Sequence, residues 1–300
     1  VFPSTSPATS ADAGAPDDED LEEIEITPVR PALSVAIAVF SGLVGIGLIF
    51  GAQSSSPGAR VPFALMLAGV QALFVLAWLM ATRPPAPLVV GGVCLVVAGW
   101  SDLHTVRAAE PGLGTLGLIG LAGVAVAVAG QAIRPDDRRR ISESLRSTLV
   151  LVLGMVAFAS LVMLSRIPLG TQVILLCVTA SAVALMVARI ADAVYPKPRL
   201  APQVPRGASG VIFGAMAGTL LSAVLGSYLF TFSPSSAAVV GLVAAVFAVL
   251  ADLAADYSEA GRQMAGDRPT LWVARHMQGP LGGFALAAPA AYAMTVLFLT

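Results

Sequence analysis

The stretch ADLAADYSEAGR, residues 251–262, places Asp252, Asp256 and Glu259 directly after a long apolar run. Asp252 and Asp256 are four apart, so a continuing helix carries both carboxylates on one face. Paired carboxylates suit Mg²⁺, which uses one or two of them together with substrate phosphates. Asp192, in ARIADAVYPKPRLAP, closes another apolar run and supplies a third acid. The chemistry of such a set is metal-assisted handling of a phosphate compound. The plainer alternative is three interfacial charges that end their helices, because a charge within a membrane span is costly. The residues alone leave both open.

What must position these acids is a set of membrane helices. The chain is 57% hydrophobic and 12% charged, a composition that excludes an ordinary soluble domain. A hydrocarbon core of about 30 Å takes roughly 20 apolar residues per helical span. Nine runs qualify: 32–52, 61–81, 86–101, 113–133, 147–165, 170–190, 209–231, 236–252 and 279–299. The third is short and opens on Pro85 and Pro87. Backbone groups must be satisfied inside lipid, so the runs are expected as helices. The fold class is all-α, a polytopic integral membrane protein of about nine transmembrane helices. An N-terminus on the cytoplasmic side puts 14 of the 17 basic residues inside and leaves Arg60, Arg107 and Arg166 outside. The acids at 252–259 and Asp192 then share the cytoplasmic face, with 253–278 as the longest loop.

Residues 1–31 hold eight acids against Arg30 and read as a disordered acidic tail without a cleaved signal peptide. Spans 32–165 form an N-terminal group of about five helices and 166–300 a C-terminal group of about four. RPDDRRRISESLR, residues 134–146, is a basic loop that serves as a topology anchor or meets anionic lipid. Gly210, Gly214 and Gly218 recur every four residues and are expected to let two helices approach closely. His276 falls in a polar loop, and Cys94 and Cys177 inside spans as packing residues. The basic residues follow topology rather than one stripe, so nucleic acid is not an expected partner.

Three stretches of the C-terminal part resemble the phosphatidate cytidylyltransferase (CDP-diacylglycerol synthase, CdsA-like) family. ADAVYPKPRLAPQVPRGASGVIFGAMAG is similar to its D-T-G-A-Y…G-K-x-x-L-A-P…G-G segment. ADLAADYSEAGRQMAGD is similar to G-D-L-x-E-S-x-x-K-R-x-x-G-x-K-D, and RHMQGPLGGFALAAPAAY to P-G-H-G-G…A-A-P-x-x-Y. The resemblance implies CTP and phosphatidic acid as substrates and Mg²⁺ as cofactor, held by Asp252, Asp256 and Asp192. It implies Arg206, Arg262 and His276 as substrate-binding residues. The sequence departs where the chemistry lies. Ala255 and Asp256 stand in place of E-S, Glu259 and Ala260 in place of K-R, and the acids of L-D-R-x-D have no counterpart around GPLGGF. Triphosphate transfer needs cations on the developing charge, so these losses remove transition-state stabilisation.

The favoured expectation is a pseudoenzyme: a CdsA-like scaffold that has lost catalysis. It would bind an anionic phospholipid such as phosphatidic acid, a second copy of itself, or an active synthase. The second is an active CTP-dependent cytidylyltransferase, with Asp252 and Asp256 catalytic. A transporter is the third and would need charged or broken helices near mid-bilayer. Sixteen arginines against one lysine point to a high-GC bacterial genome, hence the bacterial plasma membrane. On the degenerate reading Asp252 is a helix-end surface charge whose change to Asn is nearly neutral.

Overall fold

In the computed structural model, which describes residues 27–54, 60–109, 112–132, 138–229, 232–267 and 270–299, nine helices are long and apolar enough to cross a membrane. They are α1 (Pro31–Gln53), α2 (Val61–Thr82), α3 (Pro87–Arg107), α4 (Leu113–Ala132), α5 (Arg138–Leu164), α6 (Gly170–Val194), α7 (Ala208–Tyr228), α8 (Pro234–Met264) and α9 (Trp272–Leu299). The short third run extends to a full helix through Arg107. Between α6 and α7 lies the only sheet among the described residues, the antiparallel hairpin of β1 (Arg199–Ala201) and β2 (Val204–Gly207). The acidic residues 1–26 lie outside the described residues. The last residues of that tail are not free, however. Thr27 N–H donates to the Pro202 carbonyl at 3.1 Å, and Arg199 Nη1 donates to the Thr27 carbonyl at 2.7 Å.

Three helices overrun the apolar runs that announced them. α5 starts at Arg138, so most of the supposed basic loop is its opening turns. α8 continues to Met264 and ends where Gly266 takes a positive φ of 73°. α9 begins at Trp272, which puts Arg275 and His276 on a helix rather than in a loop. Of the expected long loop 253–278, residues 253–264 and 272–278 are therefore helical. Leaving lipid does not end a helix, because its i to i−4 hydrogen bonds persist in water. At its other end α8 is capped by Ser233, whose Oγ accepts the Ser236 N–H at 3.1 Å with Pro234 following.

One apolar core runs through both halves of the chain. α1 packs on α6, and α2 and α5 pack on α9, around Phe63, Phe158, Leu161, Ile174, Leu185 and Phe284. Leu43, Phe50, Leu88, Leu118, Phe213 and Leu220 instead face outward, as lipid-facing side chains must. α7 packs closely on α6 and α8, and α9 on α6 and α8. The glycine row is the reason. A Cβ on Gly214 would lie 2.5 Å from the Ala184 carbonyl of α6, and one on Gly218 2.5 Å from the Ala180 carbonyl. Gly279 lets α9 approach α8, since a Cβ there would run into the Asp252 carboxylate and lie 3.2 Å from the Asp252 Cα. Backbone thus meets backbone along the α6–α7 seam that leads up to the charged residues.

Candidate functional site: a buried arginine–aspartate cluster

Asp252 lies 18 residues into α8, about 27 Å along it at roughly 1.5 Å per residue. That places it at the far boundary of an apolar layer about 30 Å thick. Asp256 and Glu259 follow on the same face, beyond the boundary. α6 brings Arg189 and Asp192, three residues apart, to the same level. The hairpin then folds back so that β2 inserts Arg206 between α6 and α8.

The side chains close into one network. Arg206 is 0% exposed. Its Nη1 donates to Asp252 Oδ2 at 2.6 Å and to Asp256 Oδ2 at 3.0 Å. Its Nε lies 2.5 Å from Asp192 Oδ2, an ion pair off the hydrogen-bonding angle. Arg189, 5% exposed, donates from Nη2 to Asp252 Oδ1 at 2.5 Å and lies 3.1 Å from Asp256 Oδ2. Asp192 Oδ1 accepts the Gly207 N–H at 2.9 Å, an approach that Gly210 leaves room for. Burial alone would lower the Arg206 guanidinium, but Asp252, Asp256 and Asp192 outweigh it and hold it above its ordinary value. Two guanidiniums face three carboxylates, a formal charge of −1.

A second network adjoins it. Glu259 accepts from Arg262 Nη2 at 2.5 Å, from Gln263 Nε2 at 2.9 Å and from Arg275. Between the networks and the Thr27–Arg30 segment lies a cavity of about 250 Å³. Arg30, Arg189, Asp256, Glu259, Arg275 and His276 line it, with Trp272 at a ring distance of 6.4 Å from His276. Arg189 Nε and Arg275 Nε are buried there without a hydrogen-bond partner among the described residues.

The expected residues thus divide. Asp192, Asp252, Asp256 and Arg206 come together in direct contact. His276 joins Asp256 at the cavity wall, whereas Arg262 serves Glu259 and the Ala81 carbonyl. Asp252 is no surface charge: it is 0% exposed with both oxygens bound to arginine, because Gly279 lets α9 close over it. Arg189, Glu259 and Arg275 belong to the site and were not expected there. For two of them the signal was available, since Arg189 and Asp192 share a helix face and Glu259 extends the face of Asp252 and Asp256, whereas Arg275 meets Glu259 only through the packing of α9.

Mg²⁺ does not fit these residues as they stand. Both Asp252 oxygens, Asp256 Oδ2 and Asp192 are engaged by guanidiniums or a backbone N–H, so the site's positive charge comes from the chain itself. Among the described residues, no three His, Cys, Asp or Glu side chains group as metal ligands. Neither a protein-family model nor a curated protein matches the chain.

Proposed function

We propose that this is a catalytically degenerate, CdsA-like membrane protein of a bacterial plasma membrane that binds the headgroup of an anionic phospholipid. The observation that carries the reading is Arg206, seated among the three aspartates that the family resemblance would assign to Mg²⁺. An arginine fixed there neutralises the carboxylates from within the chain and, being fully buried, presents no N–H to a nucleotide phosphate outside the cluster. The cavity beside it offers Arg189, Arg275 and the exposed Arg30, donors that suit a phosphate monoester. The apolar surfaces around it keep that headgroup's acyl chains in lipid. Phosphatidic acid has both parts.

Purified protein supplied with CTP, phosphatidic acid and Mg²⁺ is expected to release no pyrophosphate and make no CDP-diacylglycerol. CTP with Mg²⁺ should leave its melting temperature unchanged. A bound nucleotide at about 100-fold excess over its Kd would stabilise by about 2.7 kcal/mol. Turnover, or a melting shift lost in both Asp252→Asn and Asp256→Asn, would establish the active cytidylyltransferase instead. Vesicles containing phosphatidic acid should bind the protein more tightly than phosphatidylcholine alone, and Arg30→Gln with Arg275→Gln should remove the difference.

A further inference from the structure

At the end of the bundle away from the hairpin, a second polar group lies within the apolar layer. Asp102, 6% exposed, sits in α3 five residues before Arg107, about 7.5 Å short of the helix end at roughly 1.5 Å per residue. Gln71, halfway along α2 and fully buried, reaches it. Gln71 Nε2 donates to Asp102 Oδ1 at 3.3 Å and to the Met155 carbonyl of α5 at 3.3 Å. Both amide hydrogens are therefore spent. Two oxygens of the same facing groups, Asp102 Oδ2 and Gln71 Oε1, are buried without a partner among the described residues. Two acceptors cannot satisfy each other. A single proton on Asp102 Oδ2, donated to Gln71 Oε1, closes a two-bond ring between acid and amide and satisfies both.

The surroundings offer nothing to compensate an ionised carboxylate. α2 and α4 carry no titratable side chain, and the charged residues of α5 all lie between Arg138 and Arg146, at its far end. On α3 itself the titratable neighbours are Cys94, His104 and Arg107. Arg60 and Arg166 stand at this end of the bundle, and Arg166 donates to the Thr105 and Ala109 carbonyls. No ion pair among the described residues reaches Asp102. A lone carboxylate in such a place neutralises rather than stays charged.

We propose that Asp102 and Gln71 form a proton-binding site inside the membrane-spanning part, with Asp102 holding its proton at neutral pH and donating it to the Gln71 carbonyl. The ligand is the proton, taken from water by the carboxylate oxygen. Bound, it ties α3 to α2, and the Met155 contact extends the tie to α5. The site shares no residue with the hairpin-end cluster and stands whatever binds there.

Infrared spectra of the wild type and Asp102→Asn at neutral pH test it. The difference spectrum should lose a protonated carboxylic-acid carbonyl band and leave the ionised carboxylate bands intact. Loss of carboxylate intensity instead would overturn the proposal. Asparagine preserves the ring, giving its amide N–H to Gln71 Oε1, so Asp102→Asn should melt with the wild type. A lower melting temperature, or failure to fold, would mean that the charge is required and would overturn it too. Asp102→Leu should melt lower, because the Gln71 carbonyl and one of its amide hydrogens are left unpaired; an unchanged melt would show that no such ring exists. Wild-type stability that climbs with sodium concentration, and does so less in Asp102→Asn, would reassign the site to a metal cation.

Discussion

Arg206 is the side chain on which the hairpin-end site turns. Its removal leaves three carboxylates in a buried space with only Arg189 to answer them. Breaking a buried pair by deleting one partner typically costs about 3–5 kcal/mol, far more than the pair contributes against an apolar substitute. Arg206→Ala is expected to fall in that range, read as a lowered midpoint in chemical or thermal denaturation. Arg206→Lys should recover little, since a single ammonium cannot meet Asp192, Asp252 and Asp256 at once. Asp252→Asn belongs to the same class and should cost about 3–5 kcal/mol rather than the near-neutral change of a surface acid. A loss under about 1 kcal/mol for both would mean that the guanidinium and carboxylates are not packed together as described. The sequence made the aspartates visible and left their partner unassigned. Asp252 and Asp256 are linked by helical spacing, whereas Arg206 reaches them across 46 and 50 residues of chain.

At the scale of the element, the α6–α7 seam positions the cluster. Gly214 and Gly218 bring the α7 backbone onto α6, and Gly210 leaves space for the Asp192 carboxylate to meet the Gly207 N–H. Gly214→Val must push the helices apart, because even its Cβ would meet the Ala184 carbonyl at 2.5 Å. Overpacking of that kind costs about 1–3 kcal/mol or more, and the shift should be seen as reduced yield and a lower melting temperature. Gly92 provides the contrast, since a Cβ there meets nothing within 4 Å. Gly92→Ala should be neutral or slightly stabilising, in keeping with about 0.5–1 kcal/mol of helix preference for alanine. Equal effects at the two positions would remove the close-approach explanation. The four-residue glycine spacing was legible as a packing face; which helix it would face was not.

Across the whole molecule, charge distribution makes one topological forecast. By the positive-inside rule, the 14-to-3 division of basic residues predicts that the hairpin end, with Arg189, Arg206, Arg262 and Arg275, faces the cytoplasm. A cysteine at Ser142, near the start of α5, should be shielded from an impermeant thiol reagent in intact cells. One at Ser235, at the start of α8, should be labelled. The reverse pattern would invert the protein and move the cavity to the outer face. Both wild-type cysteines are buried, which keeps the background low.

Hydropathy by itself determined that nine apolar segments would be membrane-spanning helices, because lipid supplies no hydrogen bonds and each crossing must satisfy its own backbone. That requirement acts on every residue of a span locally, so a run of about 20 apolar residues announces it. Helix ends were read less well: α8 runs to Met264 and α9 starts at Trp272 because hydropathy marks where lipid stops, not where backbone bonding stops. Only the tertiary structure decided the charged sites. The hairpin returns Arg206 to α8, Gly279 admits Asp252 beneath α9, and α2 offers Gln71 to Asp102 on α3. A buried charge or amide chooses its partner by proximity in space, and no local pattern of residues encodes which distant helix will be there to meet it.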